Sequence, residues 1–263
     1  MKLDSISLEL RPRGAYEAAD LGVRLLQRHA GRVYRPWAVF MLPVMLVCIS
    51  TITIAPWLGA LSIWWFKPLY DRLVLFVLSR AVFGEQVTVA DVASHWREWA
   101  GRALFAALTW RRVDFARAFV LPLDVLERLK GKPRRMRNKV LQKNARSAAV
   151  LTQVAYIHIE SIFYLSILML VYLFMPNNVA IDLSPWLFGG GVPLWWSAVT
   201  CGFYIVAVSL AEPAYVASGF VLYLNRRVEL EAWDIDLALR RGLAEVESIP
   251  DVPSSAQPLR RAA

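Results

Sequence analysis

The sequence predicts an all-α, polytopic membrane protein with four transmembrane helices plus interfacial amphipathic helices. Three observations carry this. The 263 residues are 57% hydrophobic and 19% charged, with a mean hydropathy of +0.41, too apolar and charge-poor for an ordinary soluble domain of this size. Four stretches are long and apolar enough to cross a bilayer, which takes about 20 residues. The thirty Lys and Arg residues avoid the connectors within the two apolar hairpins.

Residues 1–36 read as a cytoplasmic N-terminal amphipathic helix. The opening MKLDSISLELRPRGAYEA has no apolar h-region and no small-residue cleavage site, so no cleaved secretory signal is expected. Arg24, Arg28, Arg32 and Arg35 fall on one helical face, which suits a helix lying in the interface with its cations at headgroups. Residues 37–79 read as a transmembrane hairpin. Trp37–Trp57 has no formal charge, whereas Ala60–Ser79 is interrupted by Lys67, Asp71 and Arg72. This second span could instead be re-entrant or a surface helix.

Residues 80–150 form a basic cytoplasmic or interfacial helical segment. Val92, Trp96, Trp99, Ala103, Ala106 and Trp110 keep helical spacing and make one apolar stripe. The stripe could be the core of a small helical domain, but three tryptophans on one face favour a half-wet surface. Pro122 is expected to break the next apolar run, and DVLERLKG to form a short helix ending at Gly131. KGKPRRMRNKVLQKNAR, Lys130 to Arg146, holds eight cations and no acid. Nucleic acid is one reading of such a run. Because the run directly precedes a span, anionic membrane lipid is favoured, with Arg134, Arg135, Arg137, Lys139 and Lys143 at headgroups and no nucleic-acid partner.

Residues 151–224 read as a second transmembrane hairpin. Leu151–Met175 contains only Glu160, Leu194–Leu224 only Glu212, and the outer loop 176–193 is rich in Pro, Gly and Asn. Residues 225–247 continue the last span as a cytoplasmic tail helix, because Leu224, Val228, Ala232, Ile235, Leu239 and Leu243 keep a helical stripe. That stripe needs a cover, which makes Trp233, Asp234 and Asp236 candidate partner-docking residues. Residues 248–263 are Pro/Ser-rich and expected to be disordered. Seven cations precede Trp37, fifteen lie between Arg80 and Arg146, and six follow Leu224. The positive-inside rule then puts both termini and the central segment in the cytoplasm.

Lys67, Asp71, Arg72, Glu160 and Glu212 are the formal charges within the spans. A charge at the bilayer centre costs about 3 kcal/mol on insertion scales, so such groups usually pair. Counting about 1.5 Å per residue from the inner end of each span, all five come out between about 12 and 20 Å deep. They are expected to share one buried charge layer, with Glu212 paired to Lys67 or Arg72 and Glu160 as a second acceptor. Pro213 is expected to kink the last span, and Ala207, Ala211, Ala214 and Ser218 to give it a small-residue face for close packing.

The three histidines lie far apart, and neither G-x-S-x-G nor G-x-x-x-x-G-K-[ST] occurs. No catalytic constellation, metal site or cofactor is expected. Cys48 and Cys201 sit in apolar runs and read as buried free thiols. The stretches LRPRGAYEAADLG, WWFKPLYDRLVLFVLSRAVFG, LPLDVLERLKGK and EPAYVASGFVLYLNRRVELEAWDIDLALRR resemble an uncharacterised family of proteobacterial inner-membrane proteins, over nearly the whole chain. The resemblance implies genes near a MoxR-type AAA+ ATPase and a von Willebrand factor A-like protein, hence an envelope-associated assembly, and supplies no catalytic residues. The expectation is a non-enzymatic inner-membrane scaffold or partner subunit of that assembly. The alternative is a transporter or channel-like component using the charge layer.

Overall fold

A computed structural model describes residues 13–101, 103–174 and 193–231. All regular structure among these residues is helical. Most of the outer loop, the tail beyond 231 with Trp233, Asp234 and Asp236, and the Pro/Ser-rich end lie outside the described residues.

Among the described residues, three helices are long and apolar enough to cross a membrane. They are α2 (Ala30–Ser50, prolonged by a 3₁₀ turn to Thr53), α10 (Arg146–Leu173) and α11 (Leu194–Glu231). The fourth predicted span does not form one such helix. Ala60–Ser79 is divided between α3 (Leu58–Trp65) and α4 (Lys67–Val82). The break has a local cause: Pro68, in the first turn of α4, has no N–H to donate back to the Trp64 carbonyl, so the helix of α3 cannot run on through it, and that carbonyl accepts from Arg112 instead. Among the described residues the four expected spans thus correspond to three long helices and a broken one.

α11 is the axis of the fold. In its most apolar stretch 78% of residues are buried in the protein, against none for α10. α10 instead exposes Ile162, Leu165, Met169 and Leu173, an apolar face that lipid would cover. α1 (Ala15–Arg28) and α2 run antiparallel along α11. Arg13 and Asn225 exchange two hydrogen bonds of 2.9 Å at one end, and the Trp37 indole donates to Ser209 at 3.3 Å further along. α1 therefore buries Ala18, Gly22, Leu25 and Leu26 against protein, while Arg28, Arg32 and Arg35 stay exposed. α10 is also antiparallel to α11, with Tyr156 hydrogen-bonded to Ser218 at 3.0 Å and the Tyr164 ring against that of Tyr204. α11 continues through Pro213 and past Leu224 to Glu231 as one helix.

Two glycines permit the closest approaches. A Cβ on Gly22 would come 2.5 Å from the Ser218 Cα, and one on Gly219 would come 2.4 Å from the Ala118 Cβ. α1 and α8 (Arg117–Val125) thus seat on either side of the same turn of α11. Of the predicted small-residue face, Ala207, Ala211 and Ser218 are buried.

The central segment departs from the surface-helix expectation. Its stripe is divided among α5 (Val89–Ser94), α6 (Trp96–Trp99), α7 (Ala103–Leu108) and a 3₁₀ turn (Trp110–Val113). Val92, Trp99 and Ala106 are buried, whereas Trp96 and Trp110 are exposed. The chain climbs α4, from His95 beside the Phe76 ring, past the Trp99 carbonyl near Arg72, to Arg112 on the carbonyls of Trp64 and Trp65. It then descends α11, from Arg117 at Glu212 to Glu127 at Tyr223. Residues 96–101 and 103–127 are therefore a helical hairpin inserted into the bundle. Pro122 does not interrupt the run but lies within α8, which ends at Val125. The expected helix ending at Gly131 is absent. Arg128 has a positive φ of 51°, and Gly131, with φ 58°, opens α9 (Gly131–Gln142).

Candidate functional site

Where the inserted hairpin meets α4, α10 and α11, buried charges of alternating sign form a chain. Lys67, the first residue of α4, lies between Glu160 of α10 and Glu212 of α11. Its Nζ is 2.9 Å from Glu212 Oε2 and in direct contact with Glu160. The other oxygen of Glu212 is 2.6 Å from Nη2 of Arg117, the first residue of α8. Arg117 Nε is 2.7 Å from Asp71 Oδ2. The order is thus Glu160, Lys67, Glu212, Arg117, Asp71. Asp71 is 0% exposed and Glu212 3%.

Burying an ion costs several kcal/mol, which close pairing offsets only if the geometry is good. Alternation supplies the attraction, because each cation here lies between two carboxylates and Glu212 meets a cation on each oxygen; at the Arg117–Asp71 contact this is attraction at short range without hydrogen-bond alignment. This explains why the last span carries a carboxylate near its middle. Its partners come from two other helices, so Glu212 fixes the depth of α4 and α8 against α11.

A third cation, Arg112, borders the network. It donates to the carbonyls of Trp64 at 2.6 Å and Trp65 at 2.7 Å. These end α3, where a helix dipole favours positive charge. The guanidinium also lies 3.6 Å from the Trp64 ring centroid, a cation–π distance.

The predicted layer is thus realised in four of its five members. Arg72 is buried, but it makes no ion pair among the described residues and donates to the Trp99 carbonyl at 3.4 Å. Glu212 takes Lys67 of the two partners expected, and Arg117 stands where a second cation was needed. Sequence reading assigned Arg117 and Arg112 to the cytoplasmic segment. One signal was present: three acids against two cations within the spans left an acid in excess.

A cavity of about 420 Å³ adjoins the network. Val113 and Phe115 of the hairpin form an exposed apolar rim, and Lys67, Arg117, Glu160 and Glu212 are among its polar lining. Tyr215, in the same lining, donates to Gln153 at 2.8 Å and accepts from the Ala118 amide at 3.0 Å. The chemistry available is polar binding against an apolar wall. No group of three His, Cys, Asp or Glu that could hold a metal occurs among the described residues.

A second ion network ties α8, α9 and α11 together at the other end of the hairpin. Arg134 grips both oxygens of Asp124, at 2.6 and 3.1 Å, and Arg111 joins at 3.1 Å. Arg137 pairs with Glu127 at 3.3 Å and with Glu231, which Arg227 also meets at 2.6 Å. Burial disfavours the Arg137 charge, but its hydrogen bond to Glu231 and the field of Glu127 outweigh this and raise its pKa. Of the five expected headgroup residues, Arg134 and Arg137 are therefore engaged within the protein, while Arg135, Lys139 and Lys143 are exposed.

No family model matches this chain, and neither a curated protein nor a solved structure matches it.

Proposed function

We propose that this chain is a non-enzymatic inner-membrane scaffold, a partner subunit of an envelope-associated assembly with both termini in the cytoplasm. The observation that supports this best is the length and bracing of α11. Its 38 residues make a rod of about 57 Å against a hydrocarbon core of about 30 Å. The excess turns at its C-terminal end are held through Asn225 by Arg13, just ahead of α1, and through Glu231 by Arg137 of α9. Such bracing suits an element that bears load from outside the membrane. The sequence continues the rod's apolar stripe through Ala232, Ile235 and Leu239, a surface for a soluble partner. The MoxR-type ATPase system as that partner rests on the sequence resemblance alone.

Crosslinking and copurification after mild detergent extraction test the reading. Trp233→Ala, or charge reversal at Asp234 and Asp236, is expected to reduce recovery of the partner at least severalfold while insertion is unchanged. Equal recovery from wild type and variants removes the docking role. Topology is checked separately. A cysteine at Asn178 is expected to react with an impermeant thiol reagent from outside the inner membrane and one at Ser254 to be protected; the reverse pattern overturns the orientation.

The cavity favours a second reading, a transporter or channel-like component. That reading needs water beside the charge network. Ala211 lines the cavity and is buried. Labelling of Ala211→Cys by a small impermeant thiol reagent supports a hydrated pathway, whereas protection from both sides favours the scaffold.

A further inference from the structure

At the junction of α1 and α2 lies a second cavity, of about 600 Å³, away from the buried ion network. Arg28, Arg32 and Arg35 line one side and Gln86, Thr88 and the backbone around them the other. No acidic residue lines it. The acids nearest in sequence are engaged elsewhere. Asp20 pairs with Arg24 at 3.2 Å, and Glu85 lies 3.9 Å from Arg80. Asp91 accepts the Thr88 amide at 2.8 Å and the Thr88 hydroxyl at 2.7 Å in a capping box. Among the described residues, none of the three arginines makes an ion pair.

Three guanidinium groups converging on one cavity repel one another, and an anion placed between them would relieve that repulsion. Their planar donor forks match the oxygens of a phosphate group in a bidentate manner, which a carboxylate-poor surface leaves unsatisfied. His29 adds a fixed wall: its ring Nδ1 is hydrogen-bonded to the Leu25 carbonyl at 3.1 Å. The sequence places the cavity next to an expected membrane boundary. Arg35 is two residues before Trp37, where the uncharged part of α2 begins, and anionic headgroups concentrate beside such a junction.

We propose that this cleft binds a phosphate group, either the phosphodiester of an anionic lipid headgroup or a free phosphate. The site is distinct from the basic run around α9, whose Arg134 and Arg137 are already paired within the protein.

Gly31 allows a test that leaves all three arginines in place. It lines the cavity, and a Cβ there would meet nothing within 4 Å, so Gly31→Glu introduces a carboxylate without a steric conflict. The full chain in detergent is titrated with phosphatidylglycerol and with phosphatidylcholine, and bound lipid is counted by native mass spectrometry. Wild type is expected to bind phosphatidylglycerol saturably and in preference to phosphatidylcholine. Gly31→Glu, and Arg32→Gln with Arg35→Gln, are each expected to weaken that binding about tenfold or more. Arg135→Gln with Lys139→Gln on α9 is expected to leave this site unchanged. Displacement of the lipid by excess inorganic phosphate assigns the site to free phosphate as well; failure of phosphate to compete assigns it to the headgroup. Phosphatidylglycerol binding in Gly31→Glu equal to that of wild type, in protein of unchanged helicity and melting temperature, overturns the proposal.

Discussion

Glu212→Gln is expected to destabilise the bundle by about 3–5 kcal/mol, the range for removing one partner from a buried ion pair. The reason is its position. Glu212 is the middle carboxylate of the charge chain and meets Lys67 at 2.9 Å and Arg117 at 2.6 Å. The amide keeps the shape but removes the charge that both cations share. Lys67 retains Glu160 and Arg117 retains Asp71, so folding should weaken rather than fail. Thermal unfolding in detergent, followed by tryptophan fluorescence, measures the cost. Neutralising Lys67 in the same chain is expected to restore part of it. Neutralising Arg72 is expected to add to it, because Arg72 is no member of the chain of pairs and sits instead at the Trp99 carbonyl. A non-zero interaction with Lys67 and none with Arg72 is therefore the signature of this geometry.

Arg117→Met is expected to cost a similar amount and, in addition, to loosen the inserted hairpin. Without the guanidinium, Asp71 is left fully buried without its cation, and Glu212 loses one of two. α8 also loses its ionic link to α4 and α11, though Ala118 remains against Gly219 and the Asp124 and Glu127 pairs remain below. Local opening should exceed the global effect, since stability is not uniform across a structure. Hydrogen exchange of the 117–125 amides is expected to rise relative to those of α11. Exchange unchanged in α8, with an unchanged melting temperature, would show that Arg117 is not what anchors the segment.

The helical class, the three long apolar helices and the shared depth of Lys67, Glu160 and Glu212 were legible in the sequence. Each follows from a local rule: hydropathy over a window, or rise per residue counted from a span's end. The continuation of α11 past Leu224 was legible for the same reason. What was not legible depended on tertiary packing. Arg117 lies in a stretch with cations on either side, and its charge count alone placed it in the cytoplasm. Only the close approach of Ala118 to Gly219 brings it to Glu212. Likewise, helical spacing from Val92 to Trp110 fitted one helix, but the positive φ of Gly101 and the breaks at His95 and Ala100 divide it. The reading of Ala60–Ser79 as a span rested on its apolar run and its three charges, whereas the break follows from Pro68 in the first turn of α4.

The inserted hairpin is the part of the fold on which the charge layer rests, and the Asp71–Arg117 pair tests it most directly. A double-mutant cycle compares Asp71→Asn, Arg117→Met and the two together in full-length protein. The account predicts that each single change is strongly destabilising, whereas the double variant recovers about 2 kcal/mol or more relative to their sum, because no uncompensated charge remains between the two positions. Costs that add to within about 0.5 kcal/mol would contradict it, and would mean that Arg117 lies outside the bundle and that Glu212 and Asp71 are balanced by other groups.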